Sequence, residues 1–264
     1  MDLGINGRRA IVTGGSSGIG RVCAVALAAE GVRVCAVGRD EGRLAAVAAE
    51  LNARGEGFSV AADLSTADGC RRSVEACAER FGGIDILINN AGNARQYPVL
   101  ELPVSLVEEA LDLKLIGYLR MAQLVIPYMQ RQGWGRIVNI AGAQGTSPSV
   151  NSLPASLANI GVLNLTRALT DAVASDSILI NAICPGTVNN ARTRRHRVEA
   201  AEREGREPGD LDAQIVAAGK ALPAGRICEE DEIATVACFF ASEACRFVFA
   251  SAIYMDGGAR RSTP

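Results

Sequence analysis

The chain is expected to fold as a single-domain, Rossmann-type α/β structure: a doubly wound parallel sheet covered by helices on both faces. Three observations support this. Short apolar, β-rich runs alternate with longer alanine-rich segments along the whole sequence. Most of the strand-like runs are continuously apolar, as expected of strands buried on both faces. A glycine-rich run also joins the first strand-like segment to the first helix-like one, where a βαβ unit can place a phosphate-binding turn.

Taken in order, "RRAIVTG" reads as a strand and "GRVCAVALAAEG" as a helix stopped by Gly31. "VRVCAVG" and "EGRLAAVAAELNARG" repeat the pair, and "GFSVAADL", "DGCRRSVEACAERFG" and "IDILINNAG" continue it. "GRIVNIAG", "ILINAICPG" and "AIYMDGG" supply the later strands. No linker or low-complexity segment divides the 264 residues, a length that one α/β domain fills. Composition changes once, in a highly charged segment at about 189–225. It reads either as an inserted helical lid over a strand end or as a solvated helix with Arg/Glu pairs.

Bulk properties narrow the function. A net charge of −2 and 4% aromatic residues give no field or stacking surface for nucleic acid, and no field for an anionic membrane. No apolar run has membrane-spanning length, and the first residues lack a signal-peptide pattern. The eight cysteines form no C-x-x-C pair and there is one histidine, so no metal site is expected. Buried free thiols in a cytoplasmic protein are the expectation.

In "IVTGGSSGIGR", Gly14, Gly18 and Gly20 permit a tight turn and a close backbone approach to a pyrophosphate. Ser16, Ser17 and Ile19 lie at the helix start, where N–H groups are free. With Asp63, "NNAG" at Asn89–Gly92 and Pro185-Gly186, this run resembles the short-chain dehydrogenase/reductase family. The resemblance spans nearly the whole chain. It implies a sheet of about seven parallel strands, NAD(P) binding and a homotetramer acting on a small molecule, commonly a carbonyl or alcohol. It implies that Asp63 and Leu64 flank the adenine and that Asn90, Ala91 and Gly92 line the middle of the cofactor. Pro185, Gly186 and Val188 are then at the nicotinamide carboxamide. The second strand ends in Gly38 where NAD enzymes usually carry a carboxylate, and Arg39 follows, so NADP(H) is favoured over NAD(H). Asp40 serving an NAD ribose is the alternative.

The family's usual catalytic set is Asn, Ser, Tyr and Lys, and at all four positions this chain differs. Those positions fall on Lys114, Gly142, Ala155 and Asn159, and no Tyr-x-x-x-Lys occurs anywhere in the sequence. Losing a positioned general acid costs about 10²–10⁴ in rate. Holding a hydride donor against its acceptor can still supply about 7–11 kcal/mol. Lys114 is the candidate replacement, because a desolvated lysine changes its pKa readily; its alternative role is to fill the space and charge of the missing lysine. His196 reads as a solvated lid residue and Cys184 as core. Arg192, Arg194, Arg195 and Arg197 read as a solvated face, the alternative being that they meet a carboxylate or phosphate on a ligand. Ser147, Ser149, Ser152 and Ser156 read as turn and helix-start residues, the alternative being hydrogen bonds to a ligand without an evident base. The leading expectation is an NADP(H)-binding oxidoreductase with an atypical active site. A catalytically silent NADP(H)-binding subunit, or a non-redox lyase or isomerase on the same scaffold, are the alternatives.

Overall fold

A computed structural model describes residues 2–93 and 95–261. Seven strands form one parallel sheet: β1 Arg9–Thr13, β2 Arg33–Gly38, β3 Gly57–Ala61, β4 Ile86–Asn89, β5 Gly135–Ile140, β6 Ile178–Pro185 and β7 Ala252–Met255. Their spatial order is β3-β2-β1-β4-β5-β6-β7. Winding therefore reverses between β1 and β4, whose registers meet at Ala10 with Ile86 and Val12 with Ile88. In open α/β sheets, ligands bind in the crevice beyond the strand ends at this reversal.

Both faces are covered, which explains the unbroken apolar runs. From β1, Ala10 and Val12 pack on one side with Leu27 of helix α1 (Gly18–Ala29), Leu44 of α2 (Glu41–Asn52) and Ala237 of α9 (Glu230–Phe240). Ile11, between them, packs on the other side with Val74 of α3 (Ala67–Phe81) and Val125 of α5 (Gly117–Gln132). The remaining helices are α4 (Val104–Ala110), α6 (Leu153–Val173), α7 (Ala191–Arg203) and α8 (Leu211–Lys220). The charged segment after β6 thus forms α7 and α8. Seven of the eight cysteines are buried and Cys228 is half-buried; all are free.

Local signals set the element ends. Asp40 and Thr66 accept the amides of Arg43 and Gly69 as helix N-caps, and α3 and α5 stop at left-handed Gly82 and Gly133. Glu229 and Glu232 form a reciprocal capping box at the start of α9. Helix α1 differs: Ser17 makes no side-chain cap, so that end's N–H groups have no side-chain partner. Between α4 and α5 the helix widens into a π-helical turn, Leu111–Ile116, in which the Gly117 amide reaches back to the Asp112 carbonyl. Such turns are rare and often mark functional positions. This one carries Lys114.

Candidate active site

The crevice above β1, β4, β5 and β6 has two adjoining lobes, of about 740 and about 600 Å³. Asn90 stitches its floor together. Its amide N–H donates to Thr13 Oγ1 at 2.8 Å and its side chain to the carbonyls of Thr13 and Gly14 at 3.0 and 3.3 Å. The ends of β1 and β4 are thereby tied beside the glycine turn. A Cβ on Gly20 would lie 2.3 Å from the Gly14 carbonyl oxygen, so only glycine allows the first turn of α1 to lie this close.

The larger lobe is lined by Gly14, Ser16, Ser17, Gly18 and Ile19 from the glycine turn. Arg39, Leu64, Asn90, Ala91 and Gly92 complete it from the expected set. Two expected residues do not line either lobe. Gly20 lies beneath the turn. Asp63 points its carboxylate into its own turn, accepting from Ser65 N at 3.0 Å and Ser65 Oγ at 2.8 Å. These bonds, the backbone one foremost, hold the Asp63 pKa down. At the strand-2 end, a Cβ on Gly38 would meet Ser16 Oγ at 3.0 Å. The Asp40 carboxylate caps α2 and pairs with Arg43 Nε at 3.2 Å. Arg39 and Arg43 line the lobe beside it.

The smaller lobe brings together Lys114, Gly142, Ala155 and Asn159, with Pro185, Gly186 and Val188 from the end of β6. Lys114 Nζ donates to the Ala141 carbonyl at 2.7 Å. One turn further on, Tyr118 Oη donates to the Ile140 carbonyl at 3.1 Å. The kinked helix is thus fastened twice to the end of β5. Burial, then the nearby Arg192 guanidinium, lowers the Lys114 pKa to about 7. Burial raises that of Tyr118. Asn159 is 4% exposed, and its Oδ1 has no hydrogen-bond partner. Its Nδ2 would stand 2.7 Å from a Cβ at Gly142, so the glycine and the asparagine fit one another.

Two sequence expectations change here. His196 is not simply solvated: it is half-buried and lines both lobes, and burial, then Arg192, lowers its pKa. The arginines of α7 are not one solvated face either. Arg194 pairs with Asp212 and Arg195 with Glu199, whereas Arg192 and Arg197 line the smaller lobe. Helical spacing puts 192, 193, 196, 197 and 200 on the cleft side. Cys184 is buried, and that burial raises its thiol pKa. Ser149, Ser152 and Ser156 form a short hydrogen-bonded string at the start of α6.

Sequence reading missed Glu230 and Asn190. Glu230 Oε1 is buried without a partner, 3.4 Å from where a Gly18 Cβ would be, and burial raises the pKa of this carboxyl. Asn190 caps α7 through the Thr193 amide at 2.9 Å. The only sequence signal for either was its place at a helix start. Among the described residues no group of His, Cys, Asp or Glu could hold a metal ion, and no helix is long and apolar enough to cross a membrane.

Sheet order, glycine turn and two-lobed crevice define a dinucleotide-binding scaffold of the oxidoreductase type. The family model for short chain dehydrogenases matches residues 8–201, and the chain belongs to that family. It is 32% identical over 257 residues to the D-beta-hydroxybutyrate dehydrogenase of Cupriavidus necator, covering 96% of this chain and 98% of that one. Identity is 33% to the 2-dehydro-3-deoxy-L-rhamnonate dehydrogenase (NAD(+)) of a Sphingomonas species, covering 96% and 95%. L-sorbose reductase from Gluconobacter frateurii, solved with NADPH and L-sorbose, superposes over 100% of both chains with a TM-score of 0.93 at 28% identity.

Proposed function

We propose that the chain is an NADP(H)-dependent oxidoreductase of a carbonyl or alcohol in which Lys114 takes the place of the family's usual proton relay. The observation that carries this is the Lys114 ammonium: in the smaller lobe, 2.7 Å from the Ala141 carbonyl, with its pKa lowered to about 7. A group with that pKa near the working pH is suited to general acid–base transfer.

A dinucleotide fits the residues present. The start of α1 lacks a side-chain cap, and the close approach of Gly14 and Gly20 leaves Gly18 and Ile19 facing the larger lobe. Free N–H groups and the positive helix end there favour a pyrophosphate, with Ser16 and Ser17 beside it. Leu64 offers an adenine wall, Asn90, Ala91 and Gly92 the middle, and Pro185, Gly186 and Val188 the nicotinamide end; Asp63 acts by holding the 63–65 turn. Glu230 is the one ill-fitting group, and its raised pKa lowers the cost of the neutral carboxyl there. NADP(H) is supported over NAD(H) because Gly38 leaves no room for a carboxylate, Asp40 is engaged by Arg43, and Arg39 and Arg43 suit a 2′-phosphate. The relatives divide on this point, one naming NAD(+) and one holding NADPH.

When bound, the reduced nicotinamide would supply the hydride. Lys114 Nζ would give a proton to the substrate oxygen as negative charge develops on it, and recover one from solvent. Gly142 and Ala155 leave that oxygen room. Two relatives are named for oxidising hydroxy acids, and one was solved with a sugar. Family membership also supports a homotetramer, and light scattering at micromolar concentration should return the tetramer mass; a monomer would refute it.

The test is NADPH oxidation across a carbonyl panel, with NADPH binding measured separately. Lys114→Met should lose about 10²–10⁴ in turnover while binding NADPH as tightly as the wild type. Undiminished turnover in Lys114→Met would remove the lysine from the mechanism. Tight NADPH binding with no turnover in the wild type would establish the second reading, a silent binding subunit, which the neutral Ala155 and Asn159 favour.

A further inference from the structure

The smaller lobe has an unbalanced lining. Lys114, Arg192, His196 and Arg197 all face it, and its one acidic residue is Asp256. That carboxylate is already used: it accepts the amides of Gly258 and Arg260, both at 3.0 Å. Arg192 and Arg197 have no hydrogen bond or ion pair among the described residues, and Arg197 Nε is buried with no partner. The cations press on one another. Burial, then Arg192, lowers the pKa of both Lys114 and His196, and Arg192, whose outer part reaches solvent, feels Arg195 in turn. Arg194 on the far side of α7 pairs with Asp212, and Arg195, which lines the larger lobe, pairs with Glu199 beside it. Facing the smaller lobe, Arg192 and Arg197 are left without such a partner, and a ligand oxyanion there would relieve the repulsion.

We infer that the substrate carries an oxyanion, a carboxylate or a phosphate, bound in the smaller lobe by Arg197 and Arg192 of α7. This rests on the oxidoreductase reading of the same site. Arg197 lines the smaller lobe and not the larger one, whereas Arg192 lines both. A planar guanidinium with a free Nε–H suits bidentate pairing with such a group. Arg192 would hold the anion beside Lys114, and the added negative charge would favour the ammonium form that gives up the proton. The substrate's carbonyl or hydroxyl would then reach Lys114 from an anchored tail. A neutral ketone of the same size would bind without that anchor.

The experiment is calorimetry on the full chain saturated with NADP+, a state in which an oxo compound binds without reacting. Titrants are 3-oxopentanoate against its methyl ester, and dihydroxyacetone phosphate against dihydroxyacetone. The charged member of at least one pair should bind about 10- to 100-fold more tightly. The pair with the larger ratio identifies the oxyanion. Arg197→Met should remove most of that ratio while retaining NADP+ affinity, which also reports that the variant is folded. Arg194→Met, paired on the far side of α7, should leave the ratio unchanged. Equal affinities within both pairs would overturn the inference, as would a ratio that survives in Arg197→Met and Arg192→Met. Because no turnover is needed, an inactive protein that still prefers the anion would refute the oxidoreductase reading and leave this one standing. An active protein indifferent to charge would do the reverse.

Discussion

Replacing Gly142 with serine should be destabilising in the wild-type protein and clearly less so once Asn159 is shortened. A Cβ at 142 would lie 2.7 Å from Asn159 Nδ2 and 3.2 Å from its Cγ. Ordinary contact begins near 3.4 Å, so the overlap approaches 0.7 Å before the serine hydroxyl is added. Asn159 is buried on α6 and cannot swing out to solvent. Overpacking of this kind costs about 1–3 kcal/mol. Asn159→Ala by itself should be close to neutral, because it removes a buried acceptor with no partner, Oδ1, along with the packing of the amide. In that background Gly142→Ser keeps only the backbone cost of a side chain at φ +159°, and the steric part that disappears gives a coupling of about 1–2.5 kcal/mol. The backbone at 142 is common to both arms of the cycle and cancels. Thermal melts suffice, since a chain of this size moves about 2–4 °C per kcal/mol. An equal cost of Gly142→Ser in both backgrounds would refute the steric coupling. The same contact dictates how the family's usual relay can be written back. Serine at 142 must arrive with a change at 159, so Lys114→Asn, Gly142→Ser, Ala155→Tyr and Asn159→Lys belong in one variant.

On the mechanism proposed above, carbonyl reduction requires Lys114 to be protonated. With its pKa lowered from 10.5 to about 7, kcat/KM for reduction should be level below about pH 7 and fall about tenfold per unit above it, while alcohol oxidation rises over the same range. The break should vanish in Lys114→Met; an unchanged profile in that variant would assign it to another group. Arg39→Ala should bring NADPH affinity down towards that of NADH by calorimetry, and equal affinities in the wild type would end the NADP(H) preference. Gly20→Ala should abolish binding of either dinucleotide, because its Cβ would stand 2.3 Å from the Gly14 carbonyl oxygen and 2.4 Å from Asn90 Nδ2. Retained fluorescence quenching of bound NADPH would show that the turn can move aside.

What sequence could reveal was decided by how local each cause is. Strands buried on both faces announce themselves as unbroken apolar runs, and "TGGSSGIG" encodes its turn in glycines that nothing else replaces. The grouping of Lys114, Gly142, Ala155 and Asn159 was legible only through the family resemblance, which matches these four positions; they lie on separate elements that no local pattern joins. The inward face of α7 was not legible. That helix is polar all round, so no apolar stripe says which side meets the cleft, and Arg192 is indistinguishable from Arg194 until β6 aims the helix. Asp63 shows a different limit: the resemblance put it beside the cofactor, whereas it lines neither lobe and its carboxylate is taken by Ser65 two residues away. Glu230 depends on the long-range meeting of α9 with the start of α1, which no local pattern records.

The widened turn at Leu111–Ile116 holds one residue more than an α-helix would need between α4 and α5. Chain length there is therefore part of the site. Deleting a single residue would let the turn close to ordinary α-helical spacing, with α4 and α5 left in line. Helix α4 could then keep its packing on α6, but the side chains within the turn would be re-aimed, and Lys114 would lose its bond to the Ala141 carbonyl. Most surface connections of this protein can lengthen or shorten at little cost; along this helix, the residue count itself is under constraint.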